Sequence, residues 1–481
     1  MGVGPLSTMT TGLSGPVAAF GGLMLLGLSP VIRGGNRHVA LILLEWLALF
    51  VLTALLLHGP DRTHQSEGAK RLSDRLTALA IGALALSPVW LAMVQLSPLP
   101  VAWWNALPGH SLYAESLRVA QAPEVAYRAL SLTPDFTVLS LLAGLPLSAA
   151  FLLAYRIPTP RLRLLMHALV VLADAQAVLG LIQLGPFPGL YFGAADGGRA
   201  IGTFANPNHF ANYIAMTVPL TVLFLRQAAV STTEAGERQG RQPLAVVLGI
   251  VLFLLLAAIL ASRSRGGTIT GLSVTLLAVW ALGPRHRHSR THYRERRWSM
   301  VGLVALLALV AIAMGVDALL ARFEGDKTGY FAGDRWQMVV SAWHGALNFW
   351  PFGSGMGTFA AVYPAFHPAG LRGFVEHAHN DYVQLLMEAG LLAVVLSLVV
   401  LVLIIRQFAA LMHQARRAGL GSHALFQAAC GLGLLAVLLH SWVDFNLRIP
   451  ANAILAAFLL GAFLRPLDKP ASWQREEMDA S

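Results

Sequence analysis

The residues best suited to chemistry lie together in the stretch Glu376-His377-Ala378-His379-Asn380-Asp381-Tyr382. It holds two histidines, two carboxylates and an amide within seven residues. Histidine titrates near neutral pH, so one of the two can serve as a general base. Two other interpretations stay open. The cluster could cap a helix at a membrane surface, or it could bind a metal, although histidines two apart share a face only in an extended chain and no further ligands are evident.

A second group of candidate residues is basic. The link Ser262-Arg263-Ser264-Arg265-Gly266-Gly267 joins two apolar runs. Guanidinium groups bind diphosphates in bidentate fashion, and the glycines would let a ligand approach the backbone at a helix N-terminus, which favours anions. The alternative is that Arg263 and Arg265 reach out to lipid headgroups. We favour phosphate binding.

A third polar stretch, Gly198–His209, contains Arg199, Asn206 and Asn208. The Asn-Pro step marks a turn, since the residue before proline avoids helix, and Asn208 is a candidate cap for the helix that follows. The stretch is either the wall of a polar pocket or a capped helix entrance with a solvated arginine.

Composition indicates which elements position these groups. Of the 481 residues, 56% are hydrophobic and only 12% are charged, against about 25% charged in soluble domains. The apolar runs are about 20 residues long and do not alternate, which predicts membrane-spanning helices. We therefore predict a single all-α domain over 1–481, a polytopic bundle of about twelve spans. These lie near 14–31, 39–57, 77–97, 136–155, 164–184, 210–225, 244–261, 267–283, 299–317, 383–405, 424–442 and 450–464.

The distribution of basic residues predicts the orientation of the chain. With twelve spans, 22 of the 34 Lys and Arg residues fall in one set of alternate loops and the C-terminal tail. This set should be cytoplasmic, together with both termini, although Arg33 and Arg37 then lie outside. The net charge of +10 is explained by membrane anchoring, so no nucleic-acid partner is expected. The outer face receives residues 98–135, 185–209, the Ser262–Gly267 link and 318–382.

The long outer segment 318–382, between the ninth and tenth spans, should contain a helix that lies on the membrane surface. Its apolar side chains recur at helical spacing. Arg335, near the start of that helix, is either structural or reaches the polar pocket. The side chains predicted to share one face of the helix are Trp336, Val340, Trp343, Leu347 and Trp350.

Several stretches resemble the bacterial O-antigen ligase and polymerase superfamily. His379-Asn380, followed by nine residues and Gly390, is similar to its histidine motif. The ligases carry Gly, Thr or Tyr three residues later, where this chain has Ala393, so ligase and polymerase both stay open. Other similar stretches are Gly202-Thr203-Phe204-Ala205-Asn206-Pro207-Asn208, Ser264-Arg265-Gly266, Pro351-Phe352-Gly353-Ser354-Gly355-Met356-Gly357 and His440-Ser441-Trp442-Val443-Asp444-Phe445.

The resemblance implies an inverting glycosyl transfer at the periplasmic face of the bacterial inner membrane, without a metal or other cofactor. The donor would be a glycan on undecaprenyl diphosphate. The acceptor would be the lipid A core for a ligase or another lipid-linked glycan for a polymerase; relatives also modify proteins. By motif match His379 is the catalytic histidine, and Arg199 and Arg265 bind the diphosphate, with Arg263 as a further candidate.

The remaining candidates are supporting or substrate-binding residues, namely His377, Glu376, Asn380, Asp381, Arg335, Asn206 and Asn208. A function of another class, a lipid-glycan flippase or transporter, also fits twelve spans. Such proteins tend to place polar residues at the bilayer midplane and to show internal repeats, whereas here the polar residues crowd one predicted face and no repeat is evident.

Overall fold

Helices make up most of the protein, as the apolar runs predict. The computed structural model describes residues 6–58, 72–185, 198–230, 238–283, 302, 330–371, 373–417 and 419–467. One two-stranded antiparallel ladder, Pro98–Pro100 (β1) with Tyr127–Ala129 (β2), interrupts the helices. The α-helices are α1 (Leu6–Leu28), α2 (His38–His58), α3 (Leu72–Ala85), α4 (Ser87–Gln95), α5 (Val101–Ala106), α6 (Ser111–Val119), α7 (Pro134–Arg156), α8 (Thr159–Ile182), α9 (Pro207–Val230), α10 (Arg238–Ala261), α11 (Arg265–Ala281), α12 (Tyr330–Asn348), α13 (Phe359–Val362), α14 (Asp381–Arg417), α15 (Ser422–His440) and α16 (Pro450–Phe463).

Within the described residues, six helices are long and apolar enough to cross a membrane: α2, α7, α8, α10, α14 and α15. The pair α3 and α4, bent by 69°, makes a seventh if it is one broken span. Four predicted spans coincide with helices that do not meet the same test, namely α1, α9, α11 and α16. The predicted span 299–317 lies outside the described residues, apart from residue 302, as do 318–329 of the long outer segment. The total of about twelve therefore stays a prediction.

Helix α9 lies at the centre of the bundle. Every residue from Pro207 to Phe224 is buried, and α9 packs against α8, α10, α11, α15 and α16. Close packing depends on small residues in the neighbouring helices. A Cβ added to Gly267 would come within 2.4 Å of the Ala211 side chain, and one added to Gly433 would come within 2.4 Å of the Met216 carbonyl oxygen. The first turn of α9 is therefore held firmly where it enters the site described below.

A smaller hydrophobic core lies beside the bundle and supports the histidine-containing segment. It joins α12 and α13 to the chain just before α14 and to the first turns of α14, through Phe349, Phe359, Tyr363, Ala378 and Met387. The opposite face of α12 carries Trp336, Trp343 and Leu347, which are 68%, 45% and 55% exposed. The helix thus has an exposed apolar face, and its place on a membrane surface stays a prediction.

Helix α14 is broken at Gly390, which has φ 55° and ψ −129°. The loop after α12 provides hydrogen-bond partners for the backbone groups that lose their helical partners at the break. The amide of Leu391 donates to the Pro351 carbonyl at 2.7 Å, and the amide of Gly355 donates to the Glu388 carbonyl at 2.9 Å. A Cβ on Gly390 would meet the Pro351 oxygen at 2.2 Å, so only glycine fits there. The break explains why a glycine stands ten positions after Asn380.

Candidate active site

The centre of the candidate site is a histidine–carboxylate pair, His379 with Asp444. Nδ1 of His379 lies 3.2 Å from Oδ1 of Asp444. His379 is on the extended segment before α14, in the left-handed region at φ 51°, and Asp444 follows α15. The Asp444 side chain is 1% exposed and that of His379 is 21% exposed. The pair therefore has a buried carboxylate and an imidazole that solvent or a substrate can reach.

Asp444 receives contacts from three further side chains. Nδ2 of Asn208, in the first turn of α9, donates to Oδ2 at 2.6 Å. Nε2 of His209 lies 3.7 Å from Oδ1, and NH1 of Arg335 on α12 lies 3.8 Å from Oδ2. Burial alone would raise the pKa of Asp444, but its interactions with His209, His379 and Arg335 hold that pKa well below the usual range.

The charge on Asp444 fixes the tautomer of His379. An ionised carboxylate only accepts hydrogen bonds, so Nδ1 of His379 must carry the proton that faces it. Nε2 is then left with a lone pair and can accept a proton from a substrate. If it does so, the buried carboxylate stabilises the resulting imidazolium. This arrangement can perform general-base catalysis.

Asn380 and Asp381 fix the positions of His379 and Asp444, and their own side chains are bonded within the protein. Oδ1 of Asn380 caps α14 by accepting from the amides of Tyr382 and Val383, both at 3.0 Å. Its Nδ2 donates to the Trp442 carbonyl at 3.0 Å. Asp381 accepts from the Ser441 hydroxyl at 2.8 Å and from the Leu447 amide at 2.9 Å. These bonds attach the segment that carries His379 to the loop that carries Asp444.

A series of buried polar side chains makes a further connection between the loop that carries Asp444 and the start of α14. NH1 of Arg448 lies 2.7 Å from Oε2 of Glu388, a side chain with no exposed surface. Gln384 donates to Oε1 of Glu388 at 3.1 Å and lies 3.3 Å from Nδ1 of His377. Burial and the positive charge of Arg448 lower the pKa of His377 to about 3. His377 is therefore neutral, whereas the side chain of Glu376 is exposed.

The loop that carries Asp444 connects α15 to α16. The Ser262–Gly267 link, which holds Arg263 and Arg265, lies beside this loop. Arg263 and Arg265 are exposed, and Nε of Arg199 donates to the Ser262 carbonyl at 2.9 Å. A Cβ on Gly266 would approach Nε2 of His440 at 2.7 Å. The expectation that the two glycines admit a ligand is wrong, because they admit the His440 and Ala211 side chains. The amide of Gly267 also donates to the Ser264 hydroxyl, which caps α11.

The expectation for the α9 cap is also wrong. Asn206 is the capping residue, since its Oδ1 accepts from the amide of Asn208 at 2.8 Å. Pro207 occupies the first position of the helix, where its missing N–H has no cost. Asn208 instead turns its side chain toward Asp444. The Asn-Pro step does mark the start of the helix, but the sequence named Asn208 as the candidate cap where the structure has Asn206.

Several residues of the site were not among the sequence candidates, above all Asp444, Arg448, His209 and Gln384. The sequence did contain a signal for two of them. Asp444 and Arg448 lie between two apolar runs, and ionisable residues in such surroundings are usually paired or functional. Among the residues that the structure describes, no group of three or more His, Cys, Asp or Glu side chains is arranged to hold a metal ion.

Part of the chain matches a model of a known protein family. Residues 250–398, a little under a third of the sequence, match the family model described as O-antigen ligase. This match supports the resemblance of the chain to the O-antigen ligase and polymerase superfamily. The ligase-family segment includes Arg263, Arg265, Arg335 and His379, whereas Arg199, Asn208 and Asp444 lie outside it. No curated protein matches the chain.

Proposed function

We propose that the protein is a membrane glycosyltransferase of the O-antigen ligase type. It would move a glycan from undecaprenyl diphosphate to an acceptor sugar at the periplasmic face of the inner membrane. The observation that carries the proposal is the 3.2 Å contact between Nδ1 of His379 and the buried carboxylate of Asp444, in a chain that resembles this superfamily.

His379 acts as the general base. An acceptor hydroxyl attacks the anomeric carbon of the donor glycan, and its proton passes to Nε2 of His379 as the new glycosidic bond forms. The bond between that carbon and the diphosphate oxygen breaks, and the lipid diphosphate leaves with the electron pair. Attack from the side opposite the leaving group inverts the configuration. Asp444 keeps Nδ1 protonated and stabilises the imidazolium.

In this proposal the arginines bind the diphosphate of the donor. Arg263 and Arg265 are exposed on the link next to the Asp444 loop, and Arg199 is bonded to the same link. Fixed guanidinium groups can bind two phosphate oxygens at once and need no metal for this purpose. Arg335, with its side chain 44% exposed at 3.8 Å from Asp444, is a further cation close to the proposed base.

In this proposal the site faces the periplasm and both termini face the cytoplasm. The first hairpin agrees with one common outer face for the polar stretches. The hydroxyl of Thr203 donates to the carbonyl of Pro30 at 2.5 Å, and a Cβ on Gly34 would meet the ring of Phe204. Arg33 and Arg37 are the basic residues that do not follow the expected cytoplasmic excess in the first hairpin. They therefore lie on the side of the bundle that carries the site.

The test is transfer of a labelled glycan by the purified protein in liposomes that contain lipid-linked donor and candidate acceptors. We expect His379→Ala to abolish transfer. The matched control is His344→Ala, which removes an exposed histidine on α12 and should leave transfer unchanged. Activity of His379→Ala close to wild type would refute the proposal.

Gels of surface polysaccharide and lipid-linked glycan from a strain lacking the protein separate the ligase from the polymerase reaction. Loss of a ligase leaves long lipid-linked chains that never reach the lipid A core. Loss of a polymerase leaves single repeats in place of long chains. A deletion strain with both glycan pools unchanged would contradict either form of the proposal.

A further inference from the structure

The side chain of Phe445 lies among three imidazoles. Its ring centroid is 4.9 Å from that of His379, 4.6 Å from that of His209 and 4.4 Å from that of His377. The His379 and His209 rings meet it edge to face, at 71° and 70°, whereas the His377 ring is tilted by 33°. Edge-to-face and offset geometries are the favourable ones for aromatic pairs.

These four side chains come from three separate parts of the fold. His209 is in the first turn of α9, His377 and His379 precede α14, and Phe445 follows α15. The ring of Phe445 also packs against the main hydrophobic core. It therefore connects the buried bundle to the segment that carries the proposed base.

His379 needs such a restraint because few other contacts fix its ring. Its backbone is in the left-handed region, its side chain is partly exposed, and the described contacts of the imidazole are those to Asp444 and Phe445. One hydrogen bond still lets a ring rotate about the bond's axis. A second contact on the ring removes that freedom, and errors of about 1 Å in the position of a catalytic group can cost about a hundredfold in rate.

We propose that Phe445 is a positioning residue whose ring holds the imidazole of His379 with Nδ1 toward Asp444 and Nε2 toward the acceptor. The proposal rests on the proposed function for its kinetic consequences. The backbone amide of Phe445 donates separately to Oδ1 of Asp444 at 3.0 Å. A side-chain substitution therefore removes the aromatic contact and leaves this hydrogen bond available.

The kinetic experiment compares Phe445→Leu, Phe445→Met and Phe445→Tyr with wild type. Leucine and methionine fill the space without a ring, so we expect kcat to fall by about tenfold to a hundredfold. KM for donor and acceptor should change by less than about twofold. Tyrosine keeps the ring and should retain kcat within about threefold. Equal kcat values for all four proteins would overturn the proposal.

A double-mutant cycle tests whether Phe445 acts through the His379–Asp444 pair. In the Asp444→Asn background the pair is already weakened, so Phe445→Leu should lower kcat by less than about threefold more. Independent structural damage would give losses that multiply, because the effects of uncoupled changes add in free energy. Multiplying losses would therefore contradict the positioning role.

A second readout needs no turnover. Diethyl pyrocarbonate modifies neutral, accessible imidazoles, and mass spectrometry separates His379 from His377. We expect His379 to react at least about threefold faster in Phe445→Leu, since its ring is released. Phe463→Leu, the same change in a buried side chain at the far end of α16, should leave the rate unchanged. Equal rates in Phe445→Leu and wild type would overturn the inference, and absence of glycan transfer by wild type would bear on the proposed function alone.

Discussion

The two polar regions of the site differ in how firmly the protein holds them. In the His379–Asp444 region the carboxylates are buried, and Asn208, Asp381 and Arg448 bond the loop that carries Asp444 to α9 and α14. The link at 263–265 turns two arginines outward, with Arg263 in the left-handed region at φ 51°. Proton transfer requires fixed atoms, whereas a flexible lipid diphosphate can be bound by long charged side chains that adjust. Substitutions should therefore affect the rate in the first region and affinity in the second.

The largest effect is expected for Asp444→Asn. The amide cannot stabilise an imidazolium and permits the wrong tautomer of His379, so kcat should fall by about 10²- to 10⁴-fold. KM for the donor should stay within about twofold. Initial rates in liposomes measure both constants, with Asp135→Asn, an exposed acid at the start of α7, as the control. An increase in KM alone would contradict the division between the two regions.

Arg448→Met should cause the largest loss of stability. It leaves Glu388 and Asp381 buried without their cation, and such a loss typically costs about 3–5 kcal/mol. Glu388→Gln in the same protein should recover part of this loss, because an amide needs no counter-charge. Thermal unfolding in detergent gives the comparison. If Arg448→Met unfolds like wild type, the series of buried polar side chains does not hold the region together.

A smaller effect concerns acid sensitivity at His377. Its pKa is about 3 in the folded protein, against an ordinary value of 6.5. Below pH 6.5 the unfolded chain binds a proton that the folded protein does not, so stability falls as the pH drops from 6.5 toward 3. The loss at pH 5 is about 2 kcal/mol. In His377→Gln, the melting temperature should change less between pH 7.5 and pH 5 than it does in the wild-type protein. An equally large change in both proteins would argue against a buried neutral His377.

The smallest effect is expected at the arginine link. Arg265→Lys keeps the charge but loses bidentate binding, so KM for the donor should rise by about tenfold while kcat changes little. Added salt should raise the wild-type KM, since exposed charges are screened. Arg406→Lys near the far end of α14 is the control. A fall in kcat without a change in KM would place Arg265 with the rigid region instead.

The sequence predicted the helices well because long apolar runs have few alternatives in a membrane. It also predicted, through the resemblance of their motifs, that His379, Arg199 and Arg265 belong to one site, and this stays a prediction. It did not predict the partner of His379. Asp444 lies 65 positions later in the chain, and only the packing of α14 beside α15 brings the two together.

The roles of the small and amide residues were the hardest to predict. Gly266 and Gly267 suit a ligand or a packed neighbour equally well in sequence, and the choice depends on His440 and Ala211, which approach from other helices. Asn206 and Asn208 are both good caps, and the nearby Asp444 decides which one caps α9.

The break at Gly390 has a mechanical consequence. The 27 residues from Leu391 to Arg417 are about 40 Å long, more than the ~30 Å hydrocarbon core of a bilayer. The residues between His379 and Gly390 are bonded instead to the Pro351–Gly355 loop and to Gln95. The glycine thus divides α14 into a short part that is fixed to that loop and a long part that can reach across a bilayer, and the proposed base is attached to the fixed part.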